Sequence, residues 1–481
     1  MAATSTLQYP SRGPGLVLGF LGLCLTAAMV GYGIAVGESE AMIGSVAVIA
    51  AIAALIDYRF GAVLLMIMLP IQGVWFFPHS LFGFTGLNPM NAMLAATLVS
   101  FVLRGKGLRI FNQQPLLWLF VVPIVVAGVI GSQRVDDIVP FFFENELLHY
   151  TEAFGYLRDA LLRPLLFVPI ALLIGAVVAQ AQKPERFLTP VILAVWVMSL
   201  SVIGFVLTSE VRLGALASTG ARQFLSSVGM HANDLGRLFA VAYGLLLFTW
   251  SETKDRALKT VLVATMGALV LALLFTFSRG AFAGFLLINA LFLMWKFNAR
   301  TAALAIFVLV LATVVMPGVV MRRVSMGFDS GDANAVTAGR ADEIWTPLMP
   351  EVISSPPWGN GLDSIMWSDA AWSGTMLLVG HPHNAYLQVI LDMGLIGLGL
   401  LLAYYFHVWK GFRALGSNAY LSPTMRGFFQ GATAGLLCML VTGFAGSSLR
   451  PAAEFAFLWV AIGMMYGMRA RTAQGAPKPA A

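Results

Sequence analysis

Residues 381–409 read HPHNAYLQVILDMGLIGLGLLLAYYFHVW. Two histidines flank a proline, and behind them runs an apolar stretch in which Asp392 is the sole formal charge. A run of this length and composition crosses a bilayer as a helix. Asn384 stands where that helix leaves the water, and its side-chain amide suits one of the unpaired N–H groups of a helix start. His381 and His383 place titratable groups at the same mouth. Gly394, Gly397 and Gly399 are expected to let a neighbouring helix approach closely. The plainer reading is a His-Asn cap above an ordinary packed span.

Outward from this stretch the same character holds. Of 481 residues, 59% are hydrophobic and 11% charged, against roughly 25% charged in a soluble domain. The mean hydropathy is +0.83. Apolar runs of roughly 16 to 24 residues recur, the length of membrane helices and not of alternating barrel strands. The fold class expected is all-α, a polytopic integral membrane protein. Fourteen segments are marked, near 14–36, 41–56, 60–76, 88–103, 115–132, 164–181, 187–207, 236–250, 259–277, 280–296, 301–321, 384–409, 427–447 and 452–468, giving about 12–14 spans. Cys24 and Cys438 lie inside such segments and form no disulfide framework.

With the N-terminus placed in the cytoplasm, the short connections sort by charge. Arg59, Arg104, Lys106, Lys183, Arg186, Lys254, Arg256, Lys259, Lys296, Lys410, Arg413, Arg426, Arg469 and Arg471 fall on one side. The short connections 37–40 and 77–87 on the other side carry no lysine or arginine. That is the positive-inside pattern, so the isoelectric point near 9.4 reflects topology and needs no nucleic-acid partner. The chain divides into N-terminal membrane helices, 1–207, a core, 208–468, and a disordered cytoplasmic tail, 469–481.

Three longer connections fall outside, 133–163, 208–235 and 322–383, and their bases are all arginine. Topology does not ask for that choice, whereas a guanidinium grips phosphate oxygens bidentately and stays charged when desolvated. An anionic ligand on the outer face is one reading. Pairing with loop acids such as Asp136, Asp137, Glu144 and Glu146 is the other.

Further elements lie upstream of the histidines. Ser278-Arg279-Gly280 interrupts an apolar run, which makes Arg279 either a phosphate clamp at the membrane boundary or a snorkelling side chain at a turn. Gly229-Met-His231-Ala-Asn233 precedes a span, with Arg212 and Arg222 upstream. Gly339-Arg340, Trp345, Pro356-Pro357 and Gly359-Asn-Gly361 lie in the long loop, which reads as a surface helix over 340–354 and a turn at 356–361. Trp345, Trp358, Trp367 and Trp372 suit an interface or a sugar face.

Taken in order over about 208–400, these elements resemble the O-antigen ligase and polysaccharide polymerase superfamily, down to its His-Asn-x9-Gly-x-x-Gly signature. The resemblance implies a membrane glycosyltransferase that takes a glycan from an undecaprenyl diphosphate-linked donor and passes it to lipid A-core or to a growing glycan. The setting is the periplasmic face of a bacterial inner membrane, among membrane lipids. On that reading His383 is the catalytic residue, Arg279, Arg222 and Arg340 hold the donor diphosphate, and His381, Asn384, Arg212 and Asn233 support them. Arg222 and Arg212 compete for one family position.

The chemistry fits the residue types independently. Arginines in a water-poor cleft stabilise a departing diphosphate, and a histidine near neutral pKa takes a proton from the incoming hydroxyl. No cofactor and no metal-ligand spacing is expected. A lipid-linked glycan flippase is the competing function. It would carry polar residues through the whole depth of the membrane, whereas here they gather on the outer side.

Overall fold

The computed structural model describes residues 39–81, 84–104, 108–148, 150–209, 225–298, 334 and 337–473. The expected segments 14–36 and 301–321, Cys24, Arg212, Arg222, Arg322 and Arg323 lie outside these.

The described chain is helical apart from one two-residue hairpin, in which Ser80 pairs with Thr85 and Leu81 with Phe84. In order the principal helices are α1 (Ser39–Ile56), α2 (Tyr58–Ile71), α3 (Pro89–Arg104), α4 (Gln114–Ser132), α5 (Ala153–Gln180), α6 (Pro184–Thr208), α7 (Ala232–Glu252), α8 (Arg256–Phe275), α9 (Arg279–Trp295), α10 (Thr346–Ser354), α11 (Ala385–Gly416), α12 (Pro423–Thr442) and α13 (Ala456–Ala473). Among the described residues six helices are long and apolar enough to span a membrane, namely α4, α5, α6, α8, α11 and α12 with its short extension to Ala445. The apolar parts of α1, α2, α3 and α9 are shorter, at 10–17 residues. This is an all-α polytopic membrane protein. Helix α13 continues through Ala473, five residues into what the sequence assigns to the tail.

Two compact units divide the described residues, those of 1–65 with 76–106 and those of 66–75 with 107–481. In the first, α3 packs on α1 and α2, with the Tyr58 and Phe101 rings edge-on at 5.2 Å. The second holds every site element discussed below.

Small residues build the second unit. Gly427, Gly431 and Gly435, spaced by four, form one stripe of α12. A Cβ at Gly431 would stand 2.5 Å from the Gly244 carbonyl oxygen of α7, and one at Gly435 would stand 3.2 Å from Val241. Helix α13 repeats the device with Gly463 and Gly467 against Ala171 and Gly175 of α5. Backbones at this distance gain van der Waals contact that larger side chains would forbid, which drives helix association where lipid offers no hydrophobic gain.

The connections gather at two ends. At one, Thr424 donates to Thr253 at 2.9 Å, Lys296 and Arg426 both pair with Glu252, and Arg469 meets His407 at 3.1 Å. At the other, the amide of Val139 donates to Met366 O at 3.0 Å, Trp372 Nε1 to Asp137 O at 2.8 Å, and buried Tyr156 Oη to Leu362 O at 2.6 Å. Within the second unit, the basic connections around Lys254, Lys296, Arg426 and Arg469 thus share one end, and the segments following α4 share the other end with the long loop.

The expected packing role of Gly394, Gly397 and Gly399 is not what the structure shows. Gly394 breaks α11, with φ 65° and ψ −174°. A Cβ there would run into the carbonyl oxygens of Pro356 and Pro357, so the break receives the loop turn and not another helix. Around it Ile396 N donates to Pro357 O at 3.0 Å, Asn360 N to Leu391 O at 2.8 Å and Gly361 N to Asp392 O at 3.0 Å. A Cβ on Gly397 would meet its own helix's Met393 side chain, and at Gly399 it would meet nothing within 4 Å. The helix needs the break because those turn carbonyls and amides must otherwise be buried unpaired.

Candidate functional site

Three helix starts meet at the loop-bearing end of the second unit. Helix α7 is capped by His231, whose Nδ1 accepts from Asn233 N at 3.2 Å. Helix α9 is capped by Ser278, whose Oγ accepts from Ala281 N at 3.3 Å. Asn384 caps α11, its Oδ1 accepting from Tyr386 N at 3.0 Å and Leu387 N at 3.3 Å. The expected role of Asn384 is therefore observed. Polar residues stop these helices at the ends of apolar runs because each supplies a partner to an orphan N–H.

The first two starts are joined directly. Ser278 Oγ donates to Asn233 Oδ1 at 2.8 Å, and a Cβ on Gly236 would stand 3.3 Å from that of Ser278. The Gly229-to-Asn233 element and Ser278-Arg279-Gly280, separate in sequence, are thus one packed cluster. Half-buried Arg279 opens α9 within it. The third start is joined to the same end through α12. Tyr386 Oη donates to Leu440 O at 2.6 Å, and a Cβ on Gly443 would lie 3.8 Å from Ala385.

His383 sits just before Asn384 with φ 53°, left-handed backbone that a non-glycine residue adopts under constraint. The constraint is visible. His383 N donates to His381 Nδ1 at 3.3 Å, and the two rings meet edge-on with centroids 4.2 Å apart. Trp345 Nε1 donates to Pro382 O at 2.7 Å, which ties the histidine turn to the helical turn Ala341–Trp345 that follows Arg340. Leu377 N donates to Glu343 O at 2.8 Å and reinforces the same tie.

His381 records what surrounds the turn. Burial lowers its pKa, Asp234 raises it, Arg237 and Arg340 lower it, and Asp363 raises it, with the net result a fall to about 4. The imidazole is neutral at pH 7, and its acceptor Nδ1 leaves the proton on Nε2. Arg340 and the α7 start therefore both act electrostatically on His381. Arg279 follows Ser278, whose Oγ bonds Asn233, one residue before Asp234.

Several groups at this end carry no signal in any short motif. Arg237, 5% exposed, bridges Asp234 and Glu454 at 2.6 Å each, and Glu454 is 2% exposed. Arg450 pairs with Asp363 and donates to Ala160 O at 3.2 Å. Burial opposes the Arg450 charge, and the carboxylates of Asp363 and Asp392 more than offset it, so its pKa is raised. Buried Asp392 accepts from Ser364 N and Oγ, both at 3.1 Å, and from Gln388 Nε2 at 2.8 Å. A lone ionisable residue in an apolar run is the signal that points to Asp392 and Glu454, since such a charge needs a partner.

Two of the outer arginines are spoken for locally. Arg134 pairs with Asp137 at 2.6 Å and Arg158 with Asp159 at 2.8 Å. Of the tryptophans, Trp367 is buried, Trp345 is half-buried, and Trp358 and Trp372 are exposed. Among the described residues no group of three or more His, Cys, Asp or Glu is placed to hold a metal ion.

Fold and site together define a multi-pass α-helical membrane protein whose ionisable residues of mixed sign converge where three helices begin. A model of the O-antigen ligase family matches residues 262–402, the span from α8 through the loop into α11. Over that span the chain is similar to the O-antigen ligase family. No curated protein matches the sequence.

Proposed function

We propose that the chain transfers a glycan from an undecaprenyl diphosphate-linked donor to an acceptor hydroxyl, on lipid A-core or on a growing glycan, at the periplasmic face of the bacterial inner membrane. The observation that carries this reading is the His383 turn, held by His381 and Trp345 beside Arg340 and capped into α11. A strained, doubly tethered histidine is what a positioned general base requires.

In the proposed reaction the acceptor O–H gives its proton to His383 as its oxygen bonds to the anomeric carbon. The bond from that carbon to the diphosphate oxygen breaks, and its electron pair leaves with the diphosphate. Arg279 and Arg340, with Arg222 as the expected third, offer bidentate guanidinium contacts to the charge that develops. One displacement inverts the anomeric centre. His381, neutral and engaged through Nδ1, shapes the turn and leaves proton transfer to His383.

The test is transfer by purified protein from a lipid-linked oligosaccharide, measured for His383→Ala beside His381→Ala. Loss of a general base costs about 10²–10⁴ in rate, so His383→Ala should fall by that factor with donor binding retained. His381→Ala should lose less, through disorder of the turn. Near-normal turnover in His383→Ala removes the base assignment and leaves the motif a helix cap.

A further inference from the structure

Beside the break in α11 the long loop forms most of the wall of an open cavity of about 210 Å³. It is lined among others by Glu351, Asn360, Ser364, Trp367, Ser368 and Asp369. That volume lies below the roughly 300–1,000 Å³ of pockets for drug-sized ligands, which suits a single ring. Its hydrogen-bond character is lopsided. Ser364 Oγ gives its hydrogen to Asp392 at 3.1 Å, and Ser368 Oγ gives its own to Ile365 O at 2.7 Å. Ser355, also at the wall, donates to Ile390 O at 3.0 Å. Each hydroxyl has its one hydrogen committed, so it can offer a ligand only acceptor capacity, and Ser368 Oγ already spends part of that on Ala371 N at 3.2 Å.

The carboxylates of Glu351 and Asp369 add acceptors. Glu351 uses Oε1 on Ala370 N at 2.9 Å. Against these two acids stands one base at the wall, Arg134, already paired with Asp137. Such a lining repels phosphate and uronate and welcomes a ligand rich in O–H or N–H donors. Trp367 contributes an indole, 6% exposed, whose Nε1 has no hydrogen-bond partner among the described residues.

We propose that this cavity is a saccharide subsite that seats one neutral or amino sugar ring of the glycan, a ring other than the one at which transfer occurs. Leu391, at its wall, lies six residues past the first residue of α11, roughly 9 Å along the helix. A glycan whose reacting end stands at His383 can therefore place a later ring here. The role in catalysis rests on the glycan-transfer reading, while the binding itself does not.

The test uses saturation-transfer NMR on the full-length protein in detergent, with glucose, galactose, N-acetylglucosamine, glucosamine and glucuronic acid as separate probes. At least one neutral or amino sugar should receive magnetisation and glucuronic acid should not. Ser354 is exposed at the cavity rim, so Ser354→Trp should abolish the signal without lowering the unfolding temperature. Asp369→Asn, a milder change at another exposed residue, should weaken the glucosamine signal relative to glucose.

In the transfer assay Ser354→Trp should raise KM several-fold with kcat unchanged, and His383→Ala should keep the sugar signal. No signal from any probe with the wild-type protein overturns the proposal, as does an undiminished signal in Ser354→Trp. A sugar signal in a protein that transfers nothing sinks the glycosyltransferase reading and leaves the subsite standing.

Discussion

Replacing Gly394 by alanine separates the observed role of this residue from the helix-packing role its spacing suggests. Its φ of 65° with ψ −174° is a region essentially reserved for glycine, and holding another residue there costs about 1–3 kcal/mol. The added Cβ also meets the carbonyls of Pro356 and Pro357, so relief requires the turn to lift. Lifting it breaks the bonds of Ile396 N to Pro357 O, Asn360 N to Leu391 O and Gly361 N to Asp392 O, each worth about 0.5–1.5 kcal/mol net. Together these come to about 2.5–7.5 kcal/mol, felt locally as detachment of the loop rather than as global unfolding.

The assay is amide hydrogen exchange in detergent, read at 359–361 and 396. A loss of about 4 kcal/mol lowers protection there by roughly 10³, since 1.4 kcal/mol is tenfold. Gly399→Ala is the control. That position has open space around it, and alanine there should be neutral or stabilising by up to about 1 kcal/mol. Equal losses of loop protection in the two variants would refute the account, because helix packing treats both glycines alike.

Two further outcomes are expected. Arg237→Met strands the carboxylates of Glu454 and Asp234, and breaking a buried pair by one partner costs about 3–5 kcal/mol; an unchanged unfolding temperature in detergent would contradict the buried pairing. His381 has a pKa lowered from 6.5 to about 4, so between those pH values the unfolded chain binds more protons than the folded one. Stability is therefore full above pH 6.5 and declines by ~1–3 kcal/mol as pH falls towards 4. His381→Asn keeps an acceptor for His383 N and should flatten that decline, and an unaltered pH profile would assign it to other groups.

Much of this architecture was legible in the chain alone, for reasons that differ by element. Membrane helices announce themselves because lipid tolerates little besides an apolar run, and α4, α6, α8 and α12 fall close to where those runs lie. Helix starts were legible at Asn384 because capping is local chemistry. The break at Gly394 was not, since its cause is a turn some 35 residues upstream and the glycine spacing reads the same either way. The same holds for Arg237 and Glu454, separated by 217 residues. Their pairing depends on where α7 and the start of α13 meet. Arg134 and Arg158 stood out as outer arginines, yet their acids lie three residues and one residue away, and nearness along the chain decided their fate. The assembly of Asn233 with Ser278 joins two recognisable words into a phrase that only the tertiary structure writes.

The glycine stripe between α7 and α12 bears on how that phrase is kept in order. Its small residues recur every four positions, about 6 Å of helix rise, and each sits opposite backbone of the other helix. Such a seam behaves like a ratchet with widely spaced teeth. A slide of an ångström or two drives carbonyls into Cα atoms, and the next comfortable notch is a whole turn away. Asn233, Asp234 and Arg237 ride on one rail and the segment leading to Arg450 and Glu454 on the other. Their alignment is thus a matter of which notch the helices occupy, and it cannot drift by degrees.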